Sequence, residues 1–122
     1  MLKFVADLFK PTDPKAPPIT SETGMTFSAI EVAPFLTRLM NNPRFGLPIN
    51  TAGMIADQLS DIALDETRRW TIEGAFDGDM TTIDIEAFMD APAAPEMTFY
   101  GTEAVVAEID RELIAFDEAQ ET

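Results

Sequence analysis

Residues 69–89 read RWTIEGAFDGDMTTIDIEAFM, and the fold turns on how the middle of this stretch is taken. Asp77, Gly78 and Asp79 are either the acidic loop of a calcium site or the corner between two strands. Before them, Trp70, Ile72, Gly74 and Phe76 alternate with Arg69, Thr71, Glu73 and Ala75. After them, Ile83, Ile85, Ala87 and Met89 alternate with Thr82, Asp84, Glu86 and Phe88. Alternation at every second residue marks half-buried strands. If Asp77-Gly78 forms a two-residue turn, Ile72 faces Ile83 and Trp70 faces Ile85 on one side. On the other side Glu73 meets Thr82 and Arg69 meets Glu86, an opposite-charge pair. A four-residue turn over 77–80 keeps both faces intact, whereas a slip of one residue mixes them. Any turn of even length therefore gives a hairpin. Calcium fails on donors. An EF-hand-type loop spaces its oxygen ligands over about twelve residues and ends in a glutamate, but Thr81, Ile83 and Phe88 stand in this loop's later positions.

Outward from the hairpin, APAAP at 91–95 makes the next connection, and Met97-Thr98-Phe99-Tyr100 reads as a short third strand completing a meander. Gly101 breaks it. Thr102 caps a last helix whose apolar stripe is Val105, Val106, Ile109, Leu113 and Phe116, with Glu103 in the first turn where the helix dipole favours it. The end, DEAQET, is expected to fray.

Upstream, Ser28-Ala-Ile-Glu31 matches a capping box, with Phe27 and Val32 spaced as a hydrophobic staple. Ala29, Val32, Leu36, Leu39 and Met40 give one apolar helix face, ending at Asn41-Asn42-Pro43. Pro34 opposes this reading, because a proline inside a helix removes a hydrogen bond. The alternative is a strand over 25–32 with Pro34 opening a shorter helix. The helix is the reading carried forward. A loop over 43–50 follows. Asn50 or Thr51 caps a second helix with the stripe Ile55, Leu59 and Ile62, ending near Leu64.

At the N-terminus, MLKFVADLFK places Leu2, Val5 and Phe9 on one helical face beside Phe4 and Leu8. So short a helix is marginal alone and needs a surface to dock on: its own domain, a partner or a membrane. Pro11, Pro14, Pro17 and Pro18 make 11–25 an extended linker. The division expected is therefore a short helix over 1–10, a linker over 11–25 and one α+β domain over 26–122. That domain would hold two helices, a three-stranded antiparallel meander and a C-terminal helix, with the helices on one sheet face.

Composition narrows the chemistry. The chain of 122 residues has 22 acidic and 8 basic residues, a net charge of −14, and neither cysteine nor histidine. Disulfides, thiolate catalysis, His-based triads and Cys- or His-ligated zinc are thereby excluded within the chain. The negative field repels nucleic acid and anionic membranes and suits a basic protein partner. No phosphate-binding or dinucleotide motif occurs, and no cofactor or metal is expected. No apolar run approaches the ~18–20 residues of a membrane span, and residues 1–10 lack signal-peptide features, so a cytoplasmic location is expected. Lysine is confined to Lys3, Lys10 and Lys15, with arginine used thereafter, a bias that a GC-rich bacterial genome produces. Arg68-Arg69 would relieve repulsion from Asp65, Glu66 and Glu86.

The function these features favour is a non-catalytic interaction protein: an adaptor, an inhibitor or an accessory subunit. Its contact residues would be Leu2, Phe4, Val5, Leu8 and Phe9 on the tethered helix, and Glu73, Asp84 and Glu86 on the solvated sheet face. Two alternatives remain. One is a carboxylate-based enzyme or small-ligand protein using those carboxylates with Arg69 and Tyr100. The other is a structural homo-oligomer pairing through the third strand as a sheet edge.

Overall fold

The computed structural model describes residues 21–92 and 94–120. In chain order the elements are β1 (Ser21–Thr26), α1 (Ala29–Met40), β2 (Phe45–Gly46), α2 (Thr51–Leu59), β3 (Thr67–Phe76), β4 (Asp79–Ala91), β5 (Ala94–Gly101) and α3 (Glu103–Gln120). The strands form one antiparallel sheet in the order β1-β5-β4-β3-β2.

The hairpin of β3 and β4 has the register that alternation requires. Ile72 pairs with Ile83, Trp70 with Ile85, Glu73 with Thr82 and Arg69 with Glu86, and Phe76 pairs with Asp79 across the two-residue turn. Asp77 and Gly78 both have positive φ, 54° and 88°, which is the left-handed pair a tight hairpin needs to match strand twist. Trp70, Ile72, Phe76, Ile83, Ile85, Ala87 and Met89 are buried.

The meander of three strands is corrected to a sheet of five. Met97–Tyr100 lies within β5, which is longer than expected and sits between β4 and β1. Ser21–Met25, placed in the linker by the sequence reading, belong to β1 and pair with β5 from Ser21↔Gly101 to Thr26↔Glu96. SETGMT carries little strand propensity of its own. What fixes it is backbone approach: a Cβ on Gly24 would fall 2.2 Å from the Met97 carbonyl oxygen. At the other edge β2 pairs Phe45 with Phe76 and Gly46 with Ala75.

Helix α1 begins where the capping box places it. The Ser28 N–H donates to Glu31 Oε1 at 3.0 Å. Pro34 lies inside the helix on its exposed side. The carbonyl it leaves without a donor, that of Ile30, belongs to a residue 85% exposed, where water can satisfy it. Helix α2 stops at Leu59, short of the expected Leu64: the Asp61 and Ile62 N–H groups donate to the Gln58 and Leu59 carbonyls in tighter i→i−3 turns, and Asp65, with φ 67°, then donates its N–H to the Met89 carbonyl. Ile62 is buried all the same, from the connection. Helix α3 is capped by Thr102, whose Oγ1 accepts the Val105 N–H, and it runs on through Asp117–Gln120, where fraying was expected.

All three helices cover the same sheet face. Val32, Phe35, Leu36 and Leu39 from α1, Ile55 and Leu59 from α2, and the full α3 stripe are buried with the inward sheet residues. At the centre Phe35 meets the rings of Phe27 (5.3 Å), Phe116 (5.4 Å) and Phe99 (5.7 Å). This tilted and edge-on packing ties β5, α1 and α3 into one core.

Candidate functional site

The sheet face turned away from the helices collects alternate side chains from four strands. Register puts Glu22, Tyr100, Asp84 and Thr71 in one row across β1, β5, β4 and β3, and Gly24, Thr98, Glu86 and Arg69 in the next. Glu96 and Glu73 flank these rows. Five carboxylates therefore share the face with one guanidinium, that of Arg69. Glu73, Asp84 and Glu86 do lie on one face, as alternation required. Leu2, Phe4, Val5, Leu8 and Phe9 lie outside the described residues.

The centre of this face is a closed polar cluster. The Arg69 guanidinium lies over the Tyr100 ring at 4.5 Å and donates to Asp84 Oδ2 at 3.0 Å, with Glu86 Oε2 at 3.7 Å. The Tyr100 hydroxyl donates to Glu86 Oε1 at 3.1 Å. Burial and the Glu86 carboxylate hold the Tyr100 phenol above its ordinary pKa, so it stays a donor. Asp84 Oδ1 is buried and accepts no hydrogen bond from the described residues. Glu22, Glu73 and Glu96 are exposed around the cluster. The arrangement can attract cations and hydrogen-bond donors over the face of the sheet. Among the described residues, no group of three or more acidic side chains is placed to hold a metal ion.

A second polar cluster lies on the helical side, and sequence reasoning missed it. Glu108 is 8% exposed. It accepts hydrogen bonds from Asn42 Nδ2 (2.8 Å), Arg44 Nη1 (2.9 Å) and Arg111 Nη2 (2.9 Å). Asn42 also donates to Glu112, which Arg38 contacts in turn, and Arg44 grips both Asp77 oxygens at 2.8 and 2.9 Å. These contacts lace α1, the loop before β2, α3 and the hairpin turn together. The Asn42 hydrogen bond, reinforced by Arg111 and Arg44, holds Glu108 below the usual carboxylate range against the opposing effect of burial. Hydrogen bonding to Arg44 does the same for Asp77. The sequence signal was present: Glu108, Arg111 and Glu112 stand at i, i+3 and i+4, flanking the apolar stripe of α3. The open groove beside them, of about 740 Å³, is lined by Arg38, Arg44, Glu108 and Glu112 among others.

An apolar cleft of about 450 Å³ opens between α2 and the β4–β5 connection, lined by Leu59, Ile62, Leu64, Met89 and Pro95 among others, with no carboxylate in its lining. No helix among the described residues is long and apolar enough to cross a membrane.

No protein-family model, curated protein or solved structure matches the chain, so its functional reading rests on its own geometry.

Proposed function

We propose that the chain is a small non-catalytic interaction protein, an adaptor, inhibitor or accessory subunit, that receives a basic protein partner on its open sheet face. One observation carries this reading: five carboxylates line that face, and its single guanidinium is already held by Asp84, Glu86 and the Tyr100 ring. A partner bringing Lys or Arg there meets Glu22, Glu73 and Glu96, which make no ion pair among the described residues, and complementary potential both steers encounter and selects the partner. Residues 1–10, with Leu2, Phe4, Val5, Leu8 and Phe9, supply a second contact through the proline-rich segment. Two linked contacts strengthen binding through effective concentration.

The test is capture from a lysate with the partner identified by mass spectrometry. Wild type is compared with the triple variant Glu22→Lys, Glu73→Lys, Glu96→Lys and with a chain lacking residues 2–20. Each change, and high salt, should weaken retention of the same protein. Retention that resists the triple variant and high salt alike would remove the mechanism.

A further inference from the structure

Strand β1 forms one edge of the sheet, whereas the Met97–Tyr100 edge expected for homo-oligomer pairing lies inside it, between β1 and β4. Helix α3 runs along β1, and the Thr23 hydroxyl donates to Asp110 Oδ1 at 2.7 Å. Between the two lies a groove of about 320 Å³, walled by Gly24 and Met25 from β1 and by Asp110, Leu113, Ile114 and Asp117 from α3. The helical wall is a single stripe, since these four residues stand at i, i+3, i+4 and i+7. Ile114 is 53% exposed, so an apolar side chain stands in water at the middle of the stripe. An exposed aspartate closes the stripe at each end.

The chain's own N-terminal sequence holds the complement. The first 20 residues carry three lysines against two aspartates, whereas the remainder carries five arginines against twenty carboxylates. On the helix that the sequence predicts for 1–10, Leu2, Val5 and Phe9 share one face, with Lys3 and Lys10 seven residues apart on its flank. Two turns of helix set i and i+7 about 10.5 Å apart. Asp110 and Asp117 have the same spacing on α3. Reach agrees as well. Residues 11–20, with four prolines, extend to about 31 Å as polyproline helix. Ser21 begins β1, and the groove wall starts three residues on, about 10 Å away. The apolar cleft beside α2 offers neither match. It has no carboxylate in its lining, and Pro95 lies six residues along β5 from Gly101, which pairs with Ser21.

We propose that residues 1–10 dock as a helix in this groove, antiparallel to α3, with Leu2, Val5 and Phe9 on Met25, Leu113 and Ile114. Lys10 then pairs with Asp110, beside the start of β1 where the tether returns, and Lys3 pairs with Asp117. Apolar burial drives the contact, because a helix this short needs such a surface to form and surface ion pairs contribute little. The ion pairs set direction and register. The docking stands without the function proposed above. Where that function holds, a partner takes up Leu2, Val5 and Phe9 only as they leave the groove. Self-docking and partner binding then compete for one apolar face, and the docked fraction lowers the partner's apparent affinity.

The chain has no cysteine, so Ala6→Cys gives a single attachment point for a nitroxide, off the Leu2, Val5 and Phe9 face. In the labelled, isotope-enriched full chain, the amide signals of Met25, Leu113, Ile114 and Asp117 should broaden, and reducing the nitroxide should restore them. Labelled unenriched chain mixed with enriched unlabelled chain should show no broadening, because the contact lies within one chain. Ile114→Asp should remove the broadening. Ile114 is exposed, so this variant should stay folded. Asp117→Lys should weaken the broadening, and Lys3→Glu added to Asp117→Lys should restore it. Signals that never broaden, or broadening centred on Leu59–Leu64 of the apolar cleft, overturn the proposal. So does broadening in the mixed sample alone, which would place a second copy in the groove. Broadening that Ile114→Asp and Asp117→Lys both leave unchanged overturns it as well. No partner takes part in these measurements, so their failure and the failure of the proposed function are separate results.

Discussion

At position 78 a single backbone angle decides what AFDGDMT is. Gly78 has φ 88° with open space around it, so a substitution there would meet strain and no clash. Gly78→Val should cost about 1–3 kcal/mol, because a β-branched residue resists positive φ. Urea unfolding should show this as a lower midpoint with an unchanged slope. Asp77 also has positive φ, and both its oxygens are taken by Arg44. Its acidity is therefore committed to the Arg44 guanidinium. Asp77→Ala should lower the thermal midpoint more than Asp79→Ala, and added calcium should move neither variant nor the wild type. The turn was legible in sequence because Asp-Gly between alternating runs is a strong local signal. The Arg44 clamp was not, because its partners lie 33 positions apart and local periodicity carries no trace of that distance.

Among the elements, those with a period of their own were read correctly, and those held by a neighbour were not. The hairpin, the Ser28 cap and the α3 stripe each carry an internal pattern. Strand β1 carries none. It exists because β5 offers an edge and Gly24 allows the approach. Phe35 was likewise absent from the expected face of α1, although it is wholly buried. Its place is set by three rings from outside the helix, which the local pattern beside Pro34 does not show. The candidate site divides in the same way. Glu73, Asp84 and Glu86 follow from alternation, whereas Glu96 joins them through the pairing of β5 with β4, and Glu22 only through the pairing of β1 with β5. Gly24→Ala tests that dependence. Its Cβ must displace β1 from the Met97 carbonyl, at a cost of about 1–3 kcal/mol. Exchange protection of the Ser21–Thr26 amides should fall, while β3 and β4 keep theirs.

For the whole molecule, a charge of −14 sets two opposing responses to acid. Protonating exposed carboxylates relieves self-repulsion and favours the fold. Protonating Glu108 and Asp77 removes ions that the fold prefers, since both carboxyls are held below their ordinary pKa values. A lowered folded-state pKa stabilises fully above the unfolded value, and that contribution is lost as pH falls toward the folded one. The Glu108 term can be isolated with Glu108→Gln, which keeps the shape but loses the charge that Asn42, Arg44 and Arg111 address. Near neutral pH the variant should be less stable by about 1–3 kcal/mol, the usual cost of leaving a buried polar partner poorly satisfied. That difference should hold down to about pH 5 and then shrink below the ordinary glutamate value of about 4.3. Urea unfolding of both proteins across this range measures it directly, with the relief of surface repulsion cancelling in the subtraction. A difference that stays constant down to pH 3 would mean that the Glu108 charge contributes nothing to the fold.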